Sequence, residues 1–142
     1  MKLQIMAFLL LFSMLILSAC AVNKQNKSAS KSEKMFIRIA EIEIDSNYLA
    51  EYIAILKEES QASIKIEVGV ISIYPMYQKE NPNTIKILEI YKDKQAYEAH
   101  LQTPHFKHYK TTTLKMVKSL KLIEMQAIDE QTMPLIFQKL QK

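Results

Sequence analysis

The sequence contains very little of three residue types on which many functional sites depend. Its 142 residues include one glycine, one cysteine and no tryptophan. A lone glycine, Gly69, excludes a Gly-x-Gly-x-x-Gly dinucleotide loop and a phosphate-binding loop, because each needs several glycines, and no serine lies in a nucleophile elbow. A lone cysteine excludes an internal disulfide and a zinc site built from cysteines. An enzyme with this composition works with ordinary side chains in a shaped pocket, and its length suffices for one domain.

The N-terminus has the composition of a bacterial lipoprotein signal. Lys2 precedes an apolar run at residues 5–17, which is shorter than the roughly 20 residues needed to span a bilayer and typical of a secretory signal. Residues 17–20 read Leu-Ser-Ala-Cys, a pattern like a lipobox, in which the cysteine becomes the lipidated first residue. We therefore predict a signal peptide at residues 1–19 and lipidation of Cys20. An ordinary signal cleaved at the same point is the alternative.

Positive charge is concentrated in the segment after this signal. The chain has a formal net charge of +4, but residues 20–34 hold four lysines and one glutamate, and the chain from residue 35 onward has equal numbers of acidic and basic side chains. Because the excess belongs to a polar segment that we expect to be a disordered tether, it gives no argument for a nucleic-acid partner. We predict a domain in the cell envelope, lipid-anchored to a bacterial membrane at its periplasmic or extracytoplasmic face.

Alternating hydrophobic residues predict four strands in the domain. Gly69, which precedes the second strand, is expected to have a positive φ, and Pro75 marks that strand as an edge strand or as one with a bulge. Helical spacing predicts a long helix capped by Asp45 or Ser46, with residues 61–66 carrying the chain out of it. The predicted strands are residues 35–44, 70–77, 84–91 and 119–128.

The segment from residue 93 to residue 113 predicts two short helices separated by a proline. Asp93 is expected to cap the first helix, and Thr103-Pro104 interrupts it because proline lacks an N–H and restricts the preceding residue. A second helix can restart at His105. The inward-facing residues are then Ala96, Tyr97, His100 and Leu101 in the first helix, and Phe106, Tyr109 and Thr113 in the second.

The order β-α-β-β-α-β predicts an α+β fold, with a ferredoxin-like antiparallel sheet and both helices on one face. The other face carries too many apolar side chains to remain exposed in a small domain. We therefore expect a homodimer of face-to-face sheets, a dimeric α/β barrel. The domain is predicted to span residues 35–128. Residues 129–142 are expected to form an amphipathic tail, packed on the neighbouring subunit or on the rim of the same barrel.

Three histidines lie close together in the sequence, at positions 100, 105 and 108. A proline separates the first from the second, so only His105 and His108 fall on one helical turn, and zinc sites usually show tighter paired spacings. We therefore predict no metal site, and we expect His108 to be a solvated surface residue.

The segment ILEIYKDKQAYEAHLQTPHF at residues 87–106 carries a family resemblance, supported by RIAEIEID at residues 38–45 and SLKLIEMQAI at residues 119–128. It resembles the antibiotic biosynthesis monooxygenase family of small dimeric α+β barrels, and within that family the lipoproteins similar to quinol monooxygenases. The resemblance covers residues 35–128. The family usually has proline where this chain has Val68, a departure that concerns a turn and not the site.

The resemblance implies an oxidoreductase without metal or flavin, in which an electron-rich dihydroxyarene itself reduces O₂. The implied substrates are quinols or related dihydroxyarenes at the membrane surface, because the membrane stores quinols. Such an enzyme needs an apolar cavity and a base for the phenolic proton, and histidine changes charge near neutral pH. The implied catalytic residues are His100, as base or hydrogen-bond partner, with Tyr91 and Glu89 orienting it or the substrate; the implied substrate-binding residues are His105, Phe106 and Arg38.

Other interpretations remain open. Haem-degrading relatives carry a tryptophan near position 100 and a haem-binding histidine where this chain has Lys110, which disfavours haem cleavage. An isomerase that acts on a phosphorylated quorum-sensing signal shares the His-x-x-Thr-Pro-His pattern. Its substrate is made in the cytoplasm, where a secreted lipoprotein would not meet it. A non-catalytic module for small hydrophobic ligands is the third alternative.

Purely structural roles are also open for the candidate site residues. His100 can be a hydrogen-bonded residue at a helix–sheet seam, and Glu89 can be an ion-pair partner of Arg38 or Lys86. Tyr91 and Phe106 can be core aromatics.

Overall fold

The computed structural model describes residues 34–141, so the predicted signal peptide and all but the last residue of the predicted tether lie outside the described residues. Two 3₁₀ turns, Ser46–Tyr48 and Leu114–Met116, precede the first helix and the last strand. The strands and helices are β1 (Phe36–Ile44), α1 (Leu49–Ile66), β2 (Val70–Gln78), β3 (Asn81–Tyr91), α2 (Lys94–His100), α3 (Pro104–Thr113), β4 (Val117–Met125) and α4 (Thr132–Lys139).

The four strands form one antiparallel sheet in the order β2-β3-β1-β4. Helices α1, α2 and α3 pack on one face of it, which confirms the predicted ferredoxin-like α+β fold. Strand β2 lies at an edge, as Pro75 predicted, because proline cannot donate to a neighbouring strand. Strand β4 ends at Met125 and not near residue 128, since its pairing with β1 stops at Ile37, opposite Met125.

The pleat of β1 separates a helix-covered face from an open face of the sheet. Ala40, Ile42 and Ile44 point toward the helices and are buried in the main hydrophobic core. Residues of opposite parity point to the open face, because successive side chains in a strand alternate. The open face and α4 bound a pocket of about 1,000 Å³, whose apolar lining includes Ile37, Leu88, Ile90, Met133, Ile136 and Phe137. Within the described residues, no helix is long and apolar enough to cross a bilayer.

Helix α1 is longer than the sequence predicted. Residues 61–66 were expected to lead the chain out of the helix, but α1 continues to Ile66. Its last turns face the core through polar side chains: Ser60 donates to the carbonyl of Leu56 at 2.7 Å, and Ser63 is fully buried. A hydrophobic pattern does not mark such a face, which is why the sequence indicated an earlier end.

Gly69 serves a different purpose from the predicted one. Its φ is not positive, so the expectation of a left-handed conformation was wrong. A Cβ built on Gly69 would lie 2.5 Å from the Cβ of Ala96. The carbonyl of Gly69 accepts a hydrogen bond from Lys92 N at 2.8 Å. The glycine therefore allows the start of β2 to approach α2 more closely than any other residue permits.

Both α2 and α3 have N-terminal side-chain caps, of which the sequence predicted the first. The side chain of Asp93 accepts a hydrogen bond from Ala96 N at 2.7 Å and caps α2. Thr103 caps α3 through Phe106 N at 3.3 Å, with Pro104 as the first helical residue. Helix α3 thus starts one residue before the predicted restart at His105, because the fixed φ of proline suits the first helical position.

Candidate active site

A cavity of about 210 Å³ lies between the helix-covered face of the sheet and α1–α3. Its walls are mostly apolar, and several ionisable or hydroxyl-bearing side chains converge on it. The apolar lining includes Ala40, Ile42, Leu56, Ile73, Ile87, Leu101, Phe106, Leu120 and Leu122, and the polar lining is Arg38, Glu59, Glu89, Tyr97, His100, Tyr109 and Lys110. A buried apolar pocket with a few convergent polar groups is the usual form of a small-molecule site.

A larger pocket on the same domain has lysine, serine and tyrosine side chains in its walls but lacks the acid and imidazole groups of the smaller cavity. It is a groove of about 540 Å³ between α1 and β2, with walls such as Ile53, Ile64 and Met76. Among the described residues that line it, there is no carboxyl or imidazole side chain. The smaller cavity is therefore the better candidate for chemistry, since imidazole and carboxyl groups are the side chains that most often act as general acids and bases.

Glu89 is held in a buried ion pair at the floor of the cavity. Arg38 and Glu89 lie opposite each other on β1 and β3, and Glu89 Oε2 accepts hydrogen bonds from Arg38 Nη2 at 2.6 Å and Nε at 3.1 Å. The hydroxyl of Tyr91 donates to the same oxygen at 2.9 Å. Burial alone would lower the pKa of Arg38, but the Glu89 carboxylate outweighs it and raises the pKa. Of the two structural partners considered for Glu89, the structure therefore has Arg38.

The same guanidinium reaches a second helix. Arg38 Nη1 donates to the hydroxyl of Tyr97 at 2.8 Å, and the Arg38 guanidinium carbon lies 4.6 Å from the centre of the Tyr97 ring. Tyr91 is fully buried and does not line the cavity, and burial raises the pKa of its hydroxyl above the ordinary value. Arg38, Glu89 and Tyr97 thus present one polar edge to the cavity, supported from behind by Tyr91.

His100, the last residue of α2, forms part of the cavity wall and is 2 % exposed. Its Nδ1 lies 2.9 Å from Glu67 Oε1, and its Nε2 lies 3.7 Å from Glu59 Oε1. The rings of Phe106 and Tyr91 pack against it, with centroid distances of 4.7 and 5.5 Å. If Nδ1 carries the proton that Glu67 accepts, the lone pair of Nε2 is left on the side of Glu59, which also lines the cavity.

His105 lies behind His100 and not among the residues that line the cavity. Its Nε2 is 2.6 Å from Glu67 Oε1, the same oxygen that His100 contacts. The proline break places the end of α2 and the start of α3 side by side, and this brings the two imidazoles together. His108 is exposed, as expected. Phe106 lines the cavity at the predicted place.

Sequence reasoning missed the two carboxylates that contact His100. Glu59, Ser63 and Glu67 follow one another at intervals of four, so they share one face of α1 and its C-terminal end, and Ser63 donates to Glu59 Oε1 at 2.9 Å. Burial raises the pKa of Glu59, although the hydrogen bond from Ser63 opposes the rise. For Glu67, hydrogen bonds from His100 and His105 outweigh burial and lower the pKa. The four-residue spacing was the signal that could have identified them.

Hydroxyl groups complete the network near Phe106. Tyr109 and Tyr52 share a hydrogen bond of 2.6 Å between their hydroxyls. Burial raises the pKa of Tyr109 to about 12. Among the described residues, no buried side-chain nitrogen or oxygen lacks a hydrogen-bond partner. The site is therefore a satisfied polar network around an apolar cavity, which keeps its groups in fixed positions.

The chain was compared with known families and solved structures. The profile of the family described as antibiotic biosynthesis monooxygenase matches residues 35–112. A Bacteroides thetaiotaomicron protein, proposed to be an antibiotic biosynthesis monooxygenase, is 46% identical and has a TM-score of 0.67, with 68% of this chain and 91% of that chain covered. A proposed monooxygenase from Lactobacillus acidophilus is 26% identical with a TM-score of 0.65, over 66% of this chain and 45% of that chain.

A third structure shows the fold alone. A proposed antibiotic biosynthesis monooxygenase from Nitrosomonas europaea has a TM-score of 0.65 at 16% identity, over 69% of this chain and 94% of that chain. The chain spans less than half of the Lactobacillus protein. No curated protein matches the chain. From the family profile and the 46% identity, the chain belongs to the antibiotic biosynthesis monooxygenase family, which supports a general monooxygenase-like role.

Proposed function

We propose that this protein is a cofactor-independent monooxygenase of quinols or related dihydroxyarenes, with His100 as the general base. One observation carries the proposal. A buried imidazole lies in the wall of an apolar cavity, with Nδ1 2.9 Å from the Glu67 carboxylate and Nε2 on the side of Glu59. A carboxylate that accepts the Nδ1 proton fixes the tautomer in which Nε2 can take a proton from substrate, the same logic by which carboxylates orient catalytic histidines elsewhere.

The size and lining of the cavity favour a small aromatic ring system. Its volume of about 210 Å³ is below the roughly 300–1,000 Å³ of pockets for drug-sized ligands. Leu120 and Leu122 at one side and Ile73 at another offer apolar surfaces for a ring. Arg38 and Tyr97 give a polar edge for a second hydroxyl group. One aromatic ring, or two fused rings, matches this combination.

The reaction balances with O₂ as the only co-reactant. His100 Nε2 takes the proton of one phenolic hydroxyl, and the resulting electron-rich anion transfers electrons to O₂ and forms a carbon–oxygen bond at the ring. Protonation by the imidazolium gives a ring hydroperoxide. The O–O bond of this hydroperoxide then breaks, and the ring carbon that carries it loses its proton. The departing hydroxide and this proton form water, and the ring becomes a hydroxyquinone. The substrate supplies all four electrons that O₂ receives, so one oxygen atom enters the product and one leaves as water.

Oxygen uptake with menadiol tests the role of His100. Wild-type protein should consume O₂ faster than the buffer blank, and His100→Ala should lower kcat by about 10²–10⁴-fold, the usual contribution of general acid–base catalysis. His108→Ala is the matched control, because it removes an exposed histidine of α3 and should leave the rate unchanged. Turnover under ¹⁸O₂ should place one labelled atom in the hydroxyquinone. Equal rates for wild type, His100→Ala and buffer would disprove the catalytic proposal.

A binding module without catalysis is the second candidate, and the mostly apolar cavity lining favours it. Such a module would show ligand-induced increases in Tm, because a ligand that binds only the folded state stabilises it. The same ligands would not be converted. Thermal shifts with menadiol or its quinone, combined with no oxygen uptake above buffer, would favour this candidate over the enzyme.

We also propose that the domain acts at a membrane to which Cys20 anchors it. The lipobox-like residues before the lone cysteine and the polar segment after it support this membrane localisation. Anchoring beside the lipid quinol pool would give the enzyme its substrate locally. Cys20→Ala should move the protein out of the membrane fraction, while Ser18→Thr, a conservative change in the same segment, should not. Membrane retention of Cys20→Ala would contradict the anchor.

The open face of the sheet supports a homodimer as the assembled form. Apolar side chains on this face are an expected association surface in a small domain. Ile123→Lys places a charge on that face and should give a monomer by light scattering with size-exclusion chromatography. Leu114→Lys, at an exposed leucine in the turn before β4, is the matched control and should leave the dimer intact. A monomeric wild type at micromolar concentrations would contradict the dimer.

A further inference from the structure

We propose that Glu67, His100 and His105 form a binding site for one divalent transition-metal ion, with Zn²⁺ as the probe. Glu67 Oε1, His100 Nδ1 and His105 Nε2 all lie within 4.8 Å of one another. Two imidazoles and one carboxylate are a donor set that proteins use for zinc and for other first-row metals. The sequence predicted no metal site, because the spacing of the histidines gave no sign that a carboxylate just after α1 joins them.

The distances between the donors suit an ion after small side-chain movements. Glu67 Oε1 lies 2.9 Å from His100 Nδ1 and 2.6 Å from His105 Nε2. Donors around tetrahedral zinc lie roughly 3.3 Å apart, since each is about 2.0–2.2 Å from the metal. For the ion to fit, Glu67 Oε1 would move away from the two nitrogens by roughly half an ångström.

The surroundings of the three donors support a metal ligand role. Glu67 and His105 are only partly buried, with side-chain exposures of 11% and 18%, so an ion can reach them from solvent. His100 is held from the other side by Phe106 and Tyr91. Three protein ligands leave at least one coordination position for water.

Metal binding and base catalysis would exclude each other at His100. In the metal-free state Glu67 accepts the Nδ1 proton, and Nε2 is free to take a proton from substrate. An ion bound to Nδ1 uses that lone pair, so the single remaining ring proton lies on Nε2, which can then only donate. The ion would therefore inhibit turnover. This consequence rests on the proposed function, whereas the binding of the ion does not.

Binding is measured on the full chain in a Cys20→Ala background, which removes the one thiol that could bind zinc independently. Equilibrium dialysis against buffered Zn²⁺ should give one ion per protomer. Glu67→Gln and His105→Ala should each weaken the affinity at least about 100-fold, since each removes a direct ligand. His108→Ala, three residues away on the same helix, should bind zinc like the parent. Equal affinity in the parent and His105→Ala, or an equal loss in His108→Ala, would overturn the site.

Zinc K-edge absorption spectroscopy on the parent protein keeps the proposal testable even if a variant fails to fold. It should show two imidazole ligands and oxygen ligands at about 2.0–2.2 Å; a spectrum without imidazole scattering would overturn the site. Zn²⁺ should also inhibit menadiol-dependent oxygen uptake with an inhibition constant equal to the dissociation constant. If zinc binds as predicted but no oxygen uptake exists to inhibit, the proposed function fails and the metal site stands.

Discussion

Two ion pairs connect the same two strands, β1 and β3, but lie on opposite faces of the sheet. Arg38 pairs with Glu89 at 2.6 Å on the helix-covered face, and Lys86 pairs with Glu41 at 2.7 Å on the open face. Both are cross-strand neighbours. The side chains of the first pair are each 9% exposed, whereas those of the second are 52% and 32% exposed. The two ion pairs thus have nearly the same length, but one is buried and the other is exposed to solvent.

The difference teaches that burial, and not the distance between charges, decides what an ion pair does. A buried charge that loses its partner is left without water or a counter-ion, so the loss is strongly destabilising. An exposed charge that loses its partner is simply solvated. The helix-covered face therefore needs a complete network around its cavity, and the open face tolerates change until another surface covers it.

Removal of one partner from the buried pair should have the largest effect. Arg38→Ala leaves the Glu89 carboxylate unpaired beside the core, so we expect a loss of about 3–5 kcal/mol in the free energy of unfolding, measured by urea denaturation. The double variant Arg38→Met with Glu89→Gln removes both charges and should recover most of this loss. If the double variant is no more stable than Arg38→Ala, the unpaired charge is not the cause.

The close approach between α2 and the start of β2 should be the next most sensitive feature. Gly69→Ala places a Cβ 2.5 Å from that of Ala96, and overpacking of this kind costs about 1–3 kcal/mol. Ala96→Gly in the same chain removes the opposing methyl group and should restore much of the lost stability. Urea midpoints for the two single variants and the double variant test this, and a stable Gly69→Ala would contradict the contact.

Alkaline pH should weaken the helix-covered face by a smaller amount. Tyr109 has a pKa raised to about 12 by burial, whereas an unfolded tyrosine ionises near 10. Stability is therefore unaffected by this group below pH 10 and falls as the pH rises from 10 to 12, by on the order of 1 kcal/mol at pH 11. Tyr109→Phe should reduce the fall of Tm above pH 10 without abolishing it, because burial also raises the pKa of Tyr52 and Tyr91. Tyr74→Phe, at an exposed tyrosine, should leave the fall unchanged. An unchanged slope in Tyr109→Phe would contradict the assignment.

The exposed pair should show the smallest effect. Lys86→Ala removes the partner of Glu41 on the open face, and we expect a urea midpoint equal to that of wild type within experimental error at 0.15 M salt, because water and salt screen exposed pairs. A loss as large as that of Arg38→Ala would mean that another surface covers this face in solution. The comparison would then be between two buried pairs.

The sequence predicted the elements of this fold because each is encoded locally. Alternation in residues 35–44 and 84–91 defined β1 and β3, the cap at Asp93 defined the start of α2, and Thr103-Pro104 marked the break before α3. The errors arose where contacts between distant segments decide the outcome. A glycine is needed at position 69 because Ala96, which belongs to another element, lies too close for a side chain. The φ of Gly69 does not require a glycine.

The candidate site was predictable on one side only. The motif around residues 87–106 supplied His100, Glu89 and Phe106, all of which line the cavity. The partners on α1 were not predictable from the motif, because Glu67 is 33 residues from His100 in sequence. Glutamates on a helix are ordinarily solvated, and only the packing of α1 against α2 and α3 buries them here.

The helix break at Pro104 allows the imidazoles of His100 and His105 to approach the same oxygen atom. In an uninterrupted α-helix, residues five positions apart project in directions about 140° apart, since each turn holds 3.6 residues. His100 and His105 would then point to different sides and could not share one oxygen atom. The chain obtains convergence by stopping one helix and starting another between them. Searches that look for paired ligands only at regular helical intervals will overlook such arrangements, and a proline inside an irregular interval is the mark by which they can be found.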